Sequence, residues 1–200
     1  MKIKGFFMGE KRFIRKWIYI SFVFFVIGIT IGAIYCILLD TEADNALNSY
    51  FIKYFSNIKG ENSSITVFKN ALVGYTRLAV IIYLCSYVRP GVVGSIAVVV
   101  IKGFTSGFTN ASLIKYFGAR GLLIPGVSFL TVLLYLPALL VMTAGSVNCS
   151  VNRYKGESGQ LKAFTGLAIC CFTIFCAASL SDAFITTTFM KLIATVFTKL

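Results

Sequence analysis

Histidine is absent from the sequence, and only seven residues are acidic against nineteen Lys and Arg. The first absence removes the commonest metal ligand and the commonest general base together. The second leaves few carboxylates to pair for proton transfer. Charge of either sign is sparse, at 13% of residues where a soluble domain carries ~25%, while 58% are hydrophobic. Mean hydropathy is +0.85, so water cannot be the main solvent of this chain. Apolar stretches of about 20 residues recur, each long enough to cross ~30 Å of hydrocarbon. The fold class is therefore all-α: a polytopic helical membrane protein with about five transmembrane helices, built as a single membrane domain over residues 1–200.

A net charge of +12 raises the question of nucleic acid, since clustered Lys and Arg are the footprint of phosphate binding. The basic residues sit instead in short runs at the ends of apolar segments, where the positive-inside rule and anionic headgroups account for them. The bilayer is the expected partner, and nucleic acid is not. Of the cysteines, Cys36, Cys85, Cys170, Cys171 and Cys176 lie inside apolar stretches and Cys149 just outside one. None has zinc-site spacing, and they read as small packing residues. No metal or cofactor is expected.

A basic head, residues 1–16, carries Lys2, Lys4, Lys11, Arg12, Arg15 and Lys16 against Glu10. The first span, 17–39, is too long for the core of a cleaved signal peptide and is expected to stay in the mature protein. An acidic, polar loop follows at 40–69. Within it Leu47, Tyr50, Phe51, Tyr54 and Phe55 recur at helical spacing, so a short amphipathic helix on the membrane surface is expected. Its aromatic face suits either interfacial anchoring or the docking of a partner. Spans two and three, 70–88 and 92–114, form a hairpin around Arg89, Pro90 and Gly91. Span four, 121–147, contains Pro125 and Pro137, which bilayer helices tolerate when neighbours satisfy the freed carbonyls. A polar stretch from Asn148 to Lys162 precedes span five, 163–183. The tail, 184–200, is too short to cross alone and reads as an interfacial helix or a continuation of span five.

With the N-terminus inside, ten Lys and Arg fall on the inner side and seven on the outer. This bias and the strong head place the loop 40–69 outside. Asn62-Ser63-Ser64 is a glycosylation pattern only in a glycosylating compartment. Gly103-Phe104-Thr105-Ser106-Gly107 lacks the lysine and hydroxyl of a phosphate loop and suits close helix packing instead.

Two cations lie inside apolar runs, Arg77 and Lys102, each costing roughly 2.5–3.5 kcal/mol on insertion scales. Asp182, near the outer end of span five, is the carboxylate within a span. By depth it matches Arg77 better, leaving Lys102 either for an anionic substrate or for carbonyls freed by Pro125 or Pro137. No nucleophile with a base, carboxylate pair or metal cluster can be assembled, so no catalytic residue is expected and the chain reads as a non-enzyme.

The order of features resembles the stage II sporulation protein M family. The likeness rests on the basic head and first span, an outer loop with paired aromatics and Lys102-Gly103 followed by Gly107-Phe108-Thr109. It continues in a proline-bearing span ending Ala144-Gly145 and a tail with Met190-Lys191. The resemblance implies a five-span membrane scaffold of endospore-forming bacteria, acting in forespore engulfment at the mother-cell septal membrane. It implies two peptidoglycan-degrading partners, stage II sporulation proteins D and P. Lys102, Gly103 and Gly107 carry over as packing determinants, and no catalytic residue does. A homo-oligomer stays open. The rival class is a small permease or permease subunit for an anionic solute, although no internal repeat relates the two halves.

Overall fold

The bilayer core supplies no water to backbone amides and carbonyls, so each crossing segment must close its hydrogen bonds within itself, as a helix. A computed structural model describes residues 11–58, 64–88, 90–121, 123–154 and 161–186. Those residues form α1 (Lys11–Ile37), α2 (Thr41–Ile58), α3 (Ser64–Cys85), α4 (Gly91–Gly121), α5 (Leu123–Tyr154) and α6 (Leu161–Ser181). A π-type turn, Asp182–Thr186, follows α6. All except α2 contain a stretch long and apolar enough to cross a membrane, giving five spans.

Side-chain contacts fix the direction of each helix. Gly28, Gly32 and Cys36 of α1 meet Gly103, Phe104 and Ser112 of α4 in ascending order, so α1 and α4 run parallel. Tyr75, Ile82 and Cys85 of α3 meet Tyr135, Ser146 and Ser150 of α5 in ascending order, so this pair is parallel as well. Ser95 of α4 bonds Ser146 of α5 at 2.9 Å, while Ser106 of α4 bonds Tyr135. The two pairs are therefore antiparallel to each other. This alternation is what successive crossings require, and it puts α2 at the opposite end of the bundle from the start of α1.

Helix α5 is the centre. Buried residues make up 67% of its span, against 33% or less in the other four. Here the structure departs from the sequence reading, which ended the fourth span at Val147 and treated Asn148 onward as a polar loop. The helix continues to Tyr154, with Asn148, Cys149, Ser150 and Asn152 buried. The polar groups are used inside the bundle. Ser146 and Ser150 donate to the Ile82 and Cys85 carbonyls at 2.9 and 3.2 Å, and Asn152 donates to Asn148 at 3.2 Å. Small hydroxyl residues let backbones approach and then bond across the gap, the usual glue of membrane helices.

The α3–α4 connection is tight, with Gly91 N–H donating to the Val88 carbonyl at 3.0 Å. Helix α4 is broken near its C-terminal end at Gly118, whose φ of +57° belongs to glycine. A helix forms within the segment 40–69 as expected, α2, opening on Asp40, whose carbonyl accepts from Asp44 N–H at 2.8 Å. Residues 1–10 of the basic head and 187–200 of the tail lie outside the described residues.

Candidate functional site

Lys102 projects from the middle of α4 into a cavity of ≈ 570 Å³. Two rings face its ammonium: Tyr135 of α5 with its centroid at 5.3 Å and Tyr75 of α3 at 5.7 Å. The tyrosines themselves pack at 5.2 Å. Tyr75 donates its hydroxyl to Asp182 at 2.8 Å, which brings the carboxylate to the cavity wall, where its charge acts on Lys102. Among the described residues Lys102 makes no ion pair. Each ring contributes about 0.5–2 kcal/mol to a partly desolvated cation, the same order as the insertion cost of the lysine. The two rings with Asp182 nearby are thus enough to keep an ammonium at this depth.

This corrects the pairing expected from depth. Arg77 does not reach Asp182; it is exposed, beside Leu72, Val73, Thr76 and Ile81 on the outer face of α3. Depth was matched but azimuth was not, since Arg77 stands two residues after Tyr75 and so about 200° around the helix. Among the described residues it is the tyrosine rings, rather than carbonyls near Pro137, that face Lys102.

From Lys102 the cavity wall climbs one face of α4 through Thr105, Ser106, Thr109 and Asn110, and Thr131 faces it from α5. The opposite wall is apolar, with Phe25 and Ile29 from α1 and Val132 and Leu136 from α5.

Beside the cavity, α1 and α4 touch backbone to backbone. A methyl group on Gly28 would stand 2.5 Å from the Val100 carbonyl oxygen and 3.1 Å from the Phe104 nitrogen. One on Gly32 would stand 2.9 Å from the Phe108 nitrogen. From the other side, one on Gly103 would stand 3.2 Å from the Phe25 carbonyl carbon, and one on Gly107 2.7 Å from the Ile29 Cα. Two glycine pairs at four-residue spacing therefore form one seam. Beyond it Cys36 Sγ meets Ser112 Oγ at 3.2 Å.

Further out, α2 is latched to α4. Lys115 Nζ donates to the Asp44 carboxylate at 2.7 Å, and the Tyr116 hydroxyl donates to the same carboxylate and, at 3.1 Å, to the Asp44 carbonyl. The Lys115 bond first, and then the Tyr116 bond, hold the Asp44 carboxyl below its ordinary range. Tyr50, farther along α2, is exposed, while the side chains of Phe51, Tyr54 and Phe55 lie outside the described residues.

Residues 21–187 match the family model described as stage II sporulation protein M. The chain belongs to the stage II sporulation protein M family. Neither the curated proteins nor the solved structures contain a match. As a stage II sporulation protein M family member the chain is a multi-pass membrane protein associated with sporulation. In it the structure brings Lys102, Asp182, Gly103 and Gly107 into one neighbourhood and leaves Arg77 apart. Sequence reasoning missed Tyr75 and Tyr135, which carry no pattern that separates them from lipid-facing aromatics. It also passed over Gly28 and Gly32, whose spacing repeats that of Gly103 and Gly107 and was available as a signal.

Proposed function

We propose that this protein is a membrane scaffold without chemistry of its own, which recruits peptidoglycan-degrading partners to the septal membrane during forespore engulfment. Stage II sporulation proteins D and P are the partners the family resemblance suggests. The observation that carries the reading is the latch of α2. A helix with an exposed aromatic at Tyr50 is tied through Asp44 to Lys115 and Tyr116 of a spanning helix. A surface held this way keeps a fixed position relative to the membrane, which is what a recruiting platform needs. The expected outside location of α2 puts that surface on the side where peptidoglycan lies.

The test replaces Tyr50, Phe51, Tyr54 and Phe55 by serine and follows a fluorescent partner in sporulating cells. The expected result is a partner spread around the membrane, with the scaffold's own level unchanged. A partner still focused at the septum would remove α2 as the recruiting face. A second reading, a small permease for an anionic solute, draws on the polar cavity around Lys102. It requires Lys102-dependent anion flux in proteoliposomes, whereas the scaffold reading expects none.

A further inference from the structure

We infer that the Lys102 cavity is a binding site for a phosphate-class oxyanion. The ammonium lies mid-span with no ion-pair partner among the described residues, held from the side by the Tyr75 and Tyr135 rings. Those rings stabilise positive charge without neutralising it, so the ammonium stays open to an anion from the cavity side. Asp182, the carboxylate on the same wall, accepts the Tyr75 hydroxyl at 2.8 Å and acts on Lys102 through space, without an ion-pair contact.

Above the floor the α4 face offers hydroxyl and amide donors at Thr109 and Asn110, beyond Ser106, which is bonded to Tyr135. From Lys102 to Asn110 the helix rises roughly 12 Å at ~1.5 Å per residue. These donors point the path toward the end of the bundle that carries Lys115 and Asp44. A cation at the floor with hydroxyl and amide donors along the approach is the chemistry that recognises phosphate oxygens. The apolar wall of Phe25, Ile29 and Leu136 would accept a hydrocarbon chain attached to the same group. The phosphate can thus come from a lipid headgroup or from free phosphate.

Two measurements on the purified full-length protein decide. The first follows thermal unfolding with a dye that reacts with the cysteines, of which Cys36, Cys149 and Cys171 are buried until the bundle opens. Inorganic phosphate is compared with chloride at equal ionic strength. The second uses native mass spectrometry after reconstitution with phosphatidylglycerol or with phosphatidylcholine alone. A melting point raised by a few degrees in phosphate, lost in Lys102→Gln and kept in Arg77→Gln, establishes a free-phosphate site. One phosphatidylglycerol retained per chain, weakened roughly tenfold or more in Lys102→Gln, with no phosphate shift, establishes a headgroup site. Equal behaviour of wild type and Lys102→Gln in both assays overturns the inference. Should Lys102→Gln fail to fold, wild-type protein showing neither a phosphate shift nor a retained anionic lipid overturns it equally.

Discussion

The side chains that matter most in this bundle act in pairs across helices, and Asp44 shows how such a pair responds to solution conditions. Its carboxyl is held below the ordinary range by Lys115 and Tyr116. A group whose folded value is depressed stabilises the fold above its ordinary value, near ~3.9 for aspartate, and loses that contribution as pH falls through the folded value. The latch of α2 is therefore expected to be constant from about pH 5 to 8 and to loosen only in acid below ~4. A spin label on a cysteine at Ser49 checks this: its mobility should stay flat across the neutral range and rise in acid. Asp44→Asn should raise mobility at neutral pH, because the charged partner of Lys115 is gone. Mobility unchanged in both cases would mean that α2 is held by something other than this contact. Asp44, an acid in a loop, was readable only as a cap or a solvated residue. Its partners are 71 and 72 residues away on another helix.

Among the elements, the α1–α4 seam has little tolerance for volume. An added methyl at Gly28, Gly32, Gly103 or Gly107 meets backbone of the facing helix, which cannot rotate aside as a side chain can. Gly32→Ala and Gly107→Ala should each destabilise by about 1–3 kcal/mol, the usual range for overpacking. Gly74→Ala is the control, since nothing lies within 4 Å of an added Cβ there. It should be neutral or gain up to about 1 kcal/mol in helix propensity. Steady-state protein level and the melting point of the purified variants measure the contrast, and equal loss in all three would argue against a close seam. Leucine at Gly103 or Gly107 should lower the level further by forcing the helices apart.

At the scale of the molecule, the helix directions make opposite ends of the bundle face opposite sides of the membrane. With the basic head inside, α2 stands outside and the α3–α4 turn inside. In a background with the native cysteines replaced, a cysteine at Ser49 should react with a membrane-impermeant reagent on intact cells. A cysteine at Val88 should react only after permeabilisation. The reverse pattern would invert the protein in the membrane, placing the Lys102 cavity toward the cytoplasmic half and α2 away from peptidoglycan.

What the sequence by itself determined is one-dimensional. The number of spans, their order and the expected orientation follow from the length of apolar runs and the placement of Lys and Arg, because hydrocarbon thickness and charge desolvation act on each segment separately. The resemblance through Lys102-Gly103 and Gly107 was legible for the same reason, being local in the chain. Only the tertiary structure decided azimuth and neighbour: that Tyr75 rather than Arg77 reaches Asp182, that two tyrosine rings hold Lys102, that Gly28 and Gly32 face Gly103 and Gly107, and that α5 stays buried through Asn152. In water an amphipathic stripe marks the buried face of a helix. In a bilayer the lipid side is as apolar as the core, so the stripe fades, and which faces meet is settled by packing among helices far apart in the chain.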